Sequence, residues 1–388
     1  MIVSILGSGL MGSEIAVDIL ASKKTDEVIV VDSNASRLEE LKRKARQRLP
    51  DTLSSKLSVY KCDIVSNRGE LLKILKRSDT AIGALPHSVA DLAVASAIEA
   101  GINYVDLIYS WRASDSYAEV DKKAKNKNIT IIPACGLAPG LSNIIARKAV
   151  KDVGGEADRL TIYVGGIPEK PEPPLEYKIV FSLDSVIEEY TRDALVVRDG
   201  KIAFLPALSE VELVTFTSIR GKFEAFVTDG LSTLPNTVKA LNMTEKTVRW
   251  VGHAKKISML SELGLFSEEE IDIGDKCRIS PRKIMSSLLS DRLAMKENDR
   301  DMTLLKVVAN KGDRQSVYEM VDRYDERTHT TSMARTTSYP ASIVAQFLLE
   351  GKIKRSGFLP PEEAIDSKLF DEFLYALKQK SISITKTA

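Results

Sequence analysis

The first twelve residues, MIVSILGSGLMG, restrict the fold more than any other stretch of the chain. An apolar strand from Ile2 to Leu6 runs into Gly7-Ser8-Gly9-Leu10-Met11-Gly12. An amphipathic stretch follows (Ile15, Ala16, Ile19, Leu20), and a second strand, Val28–Val31, ends on Asp32. Strand, glycine turn, helix, strand and acid make up the context in which GxGxxG reads as a dinucleotide fingerprint. Gly7 permits the tight turn, Gly9 lets the backbone approach a pyrophosphate, and Gly12 lets helix and strand pack closely. The backbone of Gly7, Ser8, Gly9, Leu10, Met11 and Gly12 is the expected phosphate cradle, aided by the positive end of the helix. Asp32 lies about 20 residues past the last glycine, where a carboxylate accepts hydrogen bonds from ribose hydroxyls. A Rossmann-like unit without a cofactor stays open as the alternative.

With 388 residues the chain can bury a large core, and its length suits two or three domains. Lys and Arg number 55 against 54 Asp and Glu, so nothing favours a nucleic-acid partner. Cys62, Cys135 and Cys277 are odd in number and widely spaced, which suits a reducing compartment and argues against a disulfide framework or a zinc site. No run of 18 apolar residues spans a membrane, and the start lacks the basic segment of a signal peptide. The expectation is a soluble, cytoplasmic α/β protein with no metal.

From residue 1 to about 133, strand and helix patterns alternate as a parallel sheet requires. Expected strands follow at Leu57–Tyr60, Thr80–Ala84, Tyr104–Leu107 and Ile129–Ile132, giving a doubly wound Rossmann sheet of six strands. Its ligand crevice lies beyond the carboxyl ends, among Gly9, Asp32, Asp63, Ala84–His87 and Asp106. Residues 134–150 read as a turn feeding a helix that links two domains. Beyond it, strands separated by turns (Leu160–Val164, Tyr177–Phe181, Ala194–Val197, Glu212–Phe216, Phe223–Val227) mix with helices (Pro235–Leu241, Lys255–Leu263, Pro281–Leu289). That pattern predicts a second, α+β domain on a mixed sheet. A helix covers Ser338–Leu349, and the polar tail after Lys378 is expected to fray.

Asp32 repels a 2′-phosphate and so favours NAD, while Arg37 nearby could pair with one and keeps NADP open. Asp63-Ile64 follows the third strand, where an acid can meet the adenine amino group or simply be solvated. Ala84-Leu85-Pro86 is expected beside the nicotinamide, and His87 either contacts substrate or faces water. Of the three histidines, His253 follows an apolar strand, Thr247–Trp250, and a glycine; a proton carrier and a packed structural histidine are both compatible with that setting. The loop Thr228-Asp229-Gly230 either caps a helix or offers polar groups to a zwitterion. Arg335 either clamps a carboxylate or sits on the surface.

Several segments together resemble the saccharopine dehydrogenase family, and within it the lysine 6-dehydrogenases. They are ILGSGLMG (5–12), CGLAPGLSN (135–143), YVGGIPEKP (163–171), EYTRDALVVRDGK (189–201), TDGLSTLP (228–235), TVRWVGH (247–253) and TSMARTTSYPASIVAQ (331–346). Saccharopine reductases carry an aspartate where this chain has Ala138, and an Asn-Arg-Asp-type sequence where it has Thr228-Asp229-Gly230. Both departures point toward lysine. The resemblance implies a cofactor domain at 1–133, a substrate and dimerisation domain at 134–336, and C-terminal helices at 337–388 that return to the first. It also implies a homodimer or higher homo-oligomer, and NAD-dependent oxidation of the ε-amine of L-lysine to the semialdehyde with loss of ammonia. In that chemistry Arg249 or Arg335 suits the carboxylate and Asp229 the α-ammonium, with Thr228 and Gly230 in the same substrate-binding loop. Asp106 lowers the cost of proton transfer at the ε-amine, and His253 or His87 is the base. Saccharopine or carboxynorspermidine-type reductive condensation is the competing enzyme reading. A non-catalytic dinucleotide-binding protein is a further one.

Overall fold

The computed structural model describes residues 1–108, 114–274 and 277–388, and the chain divides into two compact units. Unit 1 comprises Met1–Ile144 and Ala334–Ile382; unit 2 comprises Ile145–Met333 and Ser383–Ala388.

Unit 1 is a seven-stranded, all-parallel sheet. Its spatial order is Gly357–Phe358, Thr130–Ile132, Asn103–Asp106, Thr80–Gly83, Ile2–Leu6, Glu27–Asp32 and Leu57–Lys61. The six expected strands take the doubly wound order with its switch point between Ile2–Leu6 and Thr80–Gly83. The seventh strand is donated by the C-terminal segment, pairing Gly357 with Thr130. Both sheet faces are covered, so its central strands are uninterrupted apolar runs such as Val28–Val31 and Ala81–Ile82. Leu71, Ile74, Ala93, Val94, Ala97 and Tyr104 close one side of this core.

Unit 2 is built on a mixed nine-stranded sheet. Seven strands form its path: Glu212–Phe216, Ile219–Val227, Ala240–Trp250, Ala157–Pro168, Asp301–Lys311, Arg314–Arg323 and Thr385–Lys386. Ala240–Trp250 and Ala157–Pro168 run parallel, and the other neighbours on this path are antiparallel. The hairpin Ala194–Arg198/Lys201–Leu205 turns at Asp199-Gly200 and joins through Val197 and Met243. Helices Leu183–Thr191, His253–Glu262 and Pro281–Arg292 gather around Tyr190, Phe226, Ile257, Phe266 and Leu289.

Four expectations shift. The chain leaves unit 1 at Ile144 rather than 133 and re-enters at Ala334 rather than 337, because the helices Leu141–Asp152 and Ser332–Leu349 each run across a boundary. The tail does not fray throughout: Thr385 and Lys386 pair with Glu319 and Tyr318 in unit 2. Only Leu234–Thr237 of the expected helix at 235–241 forms, since Ala240 already belongs to the interior strand Ala240–Trp250. Residues 177–181 form no strand beyond a single bridge at Ile179. Among the described residues no helix is long and apolar enough to cross a membrane.

Candidate cofactor and amino-acid site

In unit 1 the fingerprint is drawn tight wherever it need not meet a ligand. Gly7 has φ +97°, and a Cβ there would lie 2.3 Å from the Ala84 carbonyl oxygen. A Cβ on Gly12 would lie 2.0 Å from the Gly7 carbonyl oxygen. Gly9 differs, with nothing within 4 Å of its missing Cβ. It stands at the N-cap of helix Leu10–Leu20, which has neither a side-chain cap nor an acidic residue in its first turn. The first-turn N–H groups therefore face a space that accepts an anion, and the residues present fit a dinucleotide pyrophosphate. Asp32 shapes the same loop: its Oδ2 accepts from Ser8 N at 2.7 Å and Ser8 Oγ at 2.8 Å, and Oδ1 from Asn34 N at 2.8 Å.

The remaining rim residues follow the carboxyl ends of their strands. Asp63 is exposed and folds its carboxylate onto Val65 N at 2.9 Å, while Ile64 is buried in the core. Arg37 is exposed on the first turn of helix Ala35–Arg48. Ala84 and Leu85 are half-buried, Pro86 is exposed, and exposed His87 begins helix His87–Ala100.

Asp106 ends its strand and is buried. Tyr104 Oη donates to its Oδ2 at 2.9 Å and Ile108 N to its Oδ1 at 2.6 Å. Gly83 makes room for this pair, since a Cβ there would strike Tyr104 Oη at 2.0 Å and Asp106 Oδ2 at 2.8 Å. Burial outweighs both donors and raises the carboxyl to about 7, which fits a proton carrier near neutrality. Cys135, whose N–H donates to the Asp106 carbonyl, is buried, and burial pushes its thiol up out of nucleophilic range.

Unit 2 gathers a buried polar cluster on one side of strand Ala240–Trp250, where the two-residue period aligns Glu245, Thr247 and Arg249. Arg249 Nη2 meets Glu189 Oε2 at 2.5 Å, and its guanidinium lies 4.6 Å from the Tyr177 ring centre. Burial opposes its charge, but Glu189 holds the guanidinium protonated. Thr247 and Thr228 share a hydroxyl hydrogen bond of 2.9 Å. Asp229 accepts from Leu195 N at 3.3 Å and lies 3.2 Å from Arg192 Nε.

His253 is fully buried, its Nε2 2.9 Å from Tyr190 Oη and its Nδ1 2.7 Å from the Leu175 carbonyl. Burial, reinforced by Arg249, lowers it to about 3. Both ring nitrogens are engaged and the ring stays neutral, so its geometry matches a structural histidine rather than a neutral-pH base. Arg335 belongs to unit 1, where its Nη2 reaches the carbonyls of Lys380 and Ser381 at 3.4 and 3.3 Å. That fork braces the end of helix Phe370–Gln379.

Sequence reasoning passed over Glu189 and Glu245. Nothing in the local pattern singled out the second, because Thr244, Glu245, Lys246 and Thr247 are polar in succession and show no alternation.

This combination defines a dinucleotide-binding α/β protein with a mixed-sheet second unit. The saccharopine dehydrogenase NADP-binding domain model matches residues 3–132, and the saccharopine dehydrogenase C-terminal domain model matches residues 136–382. The chain belongs to the saccharopine dehydrogenase family and is an NAD(P)-binding oxidoreductase of that family. It is 23% identical over 378 residues to the Pyricularia oryzae saccharopine dehydrogenase (NADP+, L-glutamate-forming), covering 78% of this chain and 83% of that one. Bovine mitochondrial alpha-aminoadipic semialdehyde synthase is 20% identical over 456 residues, covering 99% of this chain but 47% of that protein. Apo saccharopine dehydrogenase (L-Glu forming) from Saccharomyces cerevisiae shares the fold over the full length of both chains, with a TM-score of 0.78 at 20% identity. The Legionella pneumophila homospermidine synthase in complex with NAD aligns at 0.61 and 13% identity, over all of this chain and 92% of that one.

Proposed function

We propose that the chain oxidises the ε-amine of L-lysine with NAD, giving the semialdehyde and ammonia. Bound NAD supplies the hydride acceptor. Gly7 to Gly12 hold its pyrophosphate, Asp32 its ribose, Asp63 and Ile64 flank the adenine, and Ala84–Pro86 border the nicotinamide. Asp32 supports NAD over NADP, since its carboxylate repels a 2′-phosphate and is fixed by three donors. Asp106 accepts the proton that the ε-ammonium must lose before the ε-carbon can release hydride. The resulting imine takes up water and releases ammonia. Arg249 takes the α-carboxylate, its Nε being buried without an acceptor among the described residues. Thr228, Asp229 and Gly230 border the α-ammonium.

The charge balance of the unit 2 cluster carries the choice of lysine. Glu189 and Asp229 balance the guanidinium groups of Arg249 and Arg192, and Glu245 adds a third carboxyl group that takes on charge when an ammonium group binds beside it. An acid-rich site suits a substrate with two ammonium groups and one carboxylate. A substrate bearing three carboxylates meets like charge there.

The names of the relatives favour a second reading, in which saccharopine is the substrate. Mixing the protein with NAD and each candidate separates the two. Turnover of L-lysine without glutamate supports the first reading; turnover of saccharopine alone replaces it with the second.

A further inference from the structure

We infer that Glu245, with Asp229 beside it, receives the α-ammonium group of the substrate and sets a preference for amino acids over simple amines. The inference rests on the amino-acid reading above. Glu245 is 4% exposed, and its Oε2 is buried without a hydrogen-bond partner. Among the described residues no side chain or backbone N–H donates to this carboxyl group. It lies flat against Gly230, where an added Cβ would come within 1.8 Å of Oε1 and 2.4 Å of Oε2. The loop carrying Thr228 and Asp229 therefore closes onto the carboxyl with glycine backbone alone. The charged groups that face it are Asp229 and Glu189, both acidic. The nearby cations are committed elsewhere, Arg192 Nε at 3.2 Å from Asp229 and Arg249 Nη2 at 2.5 Å from Glu189.

A buried acid that lacks a donor and faces like charges destabilises the folded chain. Its geometry gains a purpose when a ligand brings the missing donors. A primary ammonium is a compact cation with three N–H groups, matching two adjacent carboxyl groups. A ligand carboxylate would add a third negative charge instead. The ε-amine is the group that reacts, so the α-ammonium is the one left for Glu245. Burial, with Asp229 and Glu189 adding to it, raises Glu245 to about 8, so it carries a proton at neutral pH before the ligand arrives. Binding an ammonium displaces that proton to solvent.

The test compares L-lysine with 6-aminohexanoate, which lacks only the α-amino group, in wild type, Glu245→Gln and Glu245→Asp. The Gln variant is expected to raise KM for lysine about 10- to 100-fold, the scale of a lost charged hydrogen bond, while leaving 6-aminohexanoate within about twofold. The Asp variant is expected to restore part of the preference for lysine. Equal losses on both substrates, or an unchanged KM for lysine, overturn the inference. If lysine is not oxidised and saccharopine is, the proposed function fails, and the same comparison of KM is made with saccharopine, which also carries an α-ammonium. Should the Gln variant not fold, calorimetry of wild type with L-lysine in buffers of different ionisation heat decides the matter. Proton release near pH 7 with L-lysine that exceeds the release with 6-aminohexanoate upholds the inference, and equal release with the two ligands overturns it.

Discussion

At the scale of single residues, the account depends on which carboxyl or imidazole group titrates where. Asp106 must lose its proton to act as acceptor, so kcat/KM is expected to rise with pH through about 7, the value to which burial brings it. Asp106→Asn is expected to lower kcat by about 10²- to 10⁴-fold and to abolish that limb, as measured in steady-state pH profiles. His253→Gln should leave the limb in place; its loss there and survival in Asp106→Asn would reverse the assignment. Glu245 adds a stability signature. Its carboxyl is raised from 4.5 to about 8, so the folded state holds a proton that the unfolded state releases in that window. Folding stability is therefore undiminished below about 4.5 and falls as pH rises to about 8. Denaturant titrations should show Glu245→Gln gaining on wild type across this window and levelling off above it. The sequence made Asp32 and Asp106 legible because strand-end acids in a Rossmann pattern have fixed places. It could not reveal that His253 is enclosed by Tyr190 and Leu175, residues 63 and 78 positions away.

At the scale of elements, the glycine turn separates ligand binding from folding. Gly9→Ala meets no protein atom and sits at φ −65°, so the variant should melt within about 1 °C of wild type while losing the stabilisation that cofactor gives. Wild type at 100 times the dissociation constant should gain about 2.7 kcal/mol, read as a rise in Tm. Gly12→Ala forces a Cβ onto the Gly7 carbonyl and should destabilise the protein itself by about 1–3 kcal/mol. If Gly9→Ala keeps full cofactor stabilisation, the cradle lies elsewhere. Elements with a strong period, such as Val28–Val31, were readable because the buried parallel sheet demands apolar runs. Helix Leu183–Thr191 was not, although it carries Glu189. Its apolar residues Leu183, Val186, Ile187 and Tyr190 do carry the i, i+3, i+4, i+7 spacing of a helix, but the element is only nine residues long and follows directly on a segment read as strand. The hairpin at Asp199-Gly200 was legible, since a turn with φ +48° and +74° favours that pair.

At the scale of the whole molecule, the chain passes three times between its two units, at residues 144/145, 333/334 and 382/383. Composition and local pattern cannot reveal such crossings, because helices Leu141–Asp152 and Ser332–Leu349, which make the first two, are continuous in sequence, and the third falls in the irregular segment after helix Phe370–Gln379. The resemblance supplied the return of the C-terminal segment, but not the strand it adds at Gly357–Phe358 nor the tail strand in unit 2. Unit 1 carries the fingerprint and Asp106; unit 2 carries an acid-rich cluster around Glu245 and Arg249. The central claim is that the chain oxidises L-lysine with NAD, and the absorbance of reduced nicotinamide tests it directly when the protein is mixed with NAD and L-lysine in the absence of glutamate. The account predicts a steady rise with lysine alone and release of ammonia in equal amount. No rise with lysine, followed by a rise on adding saccharopine, would contradict it.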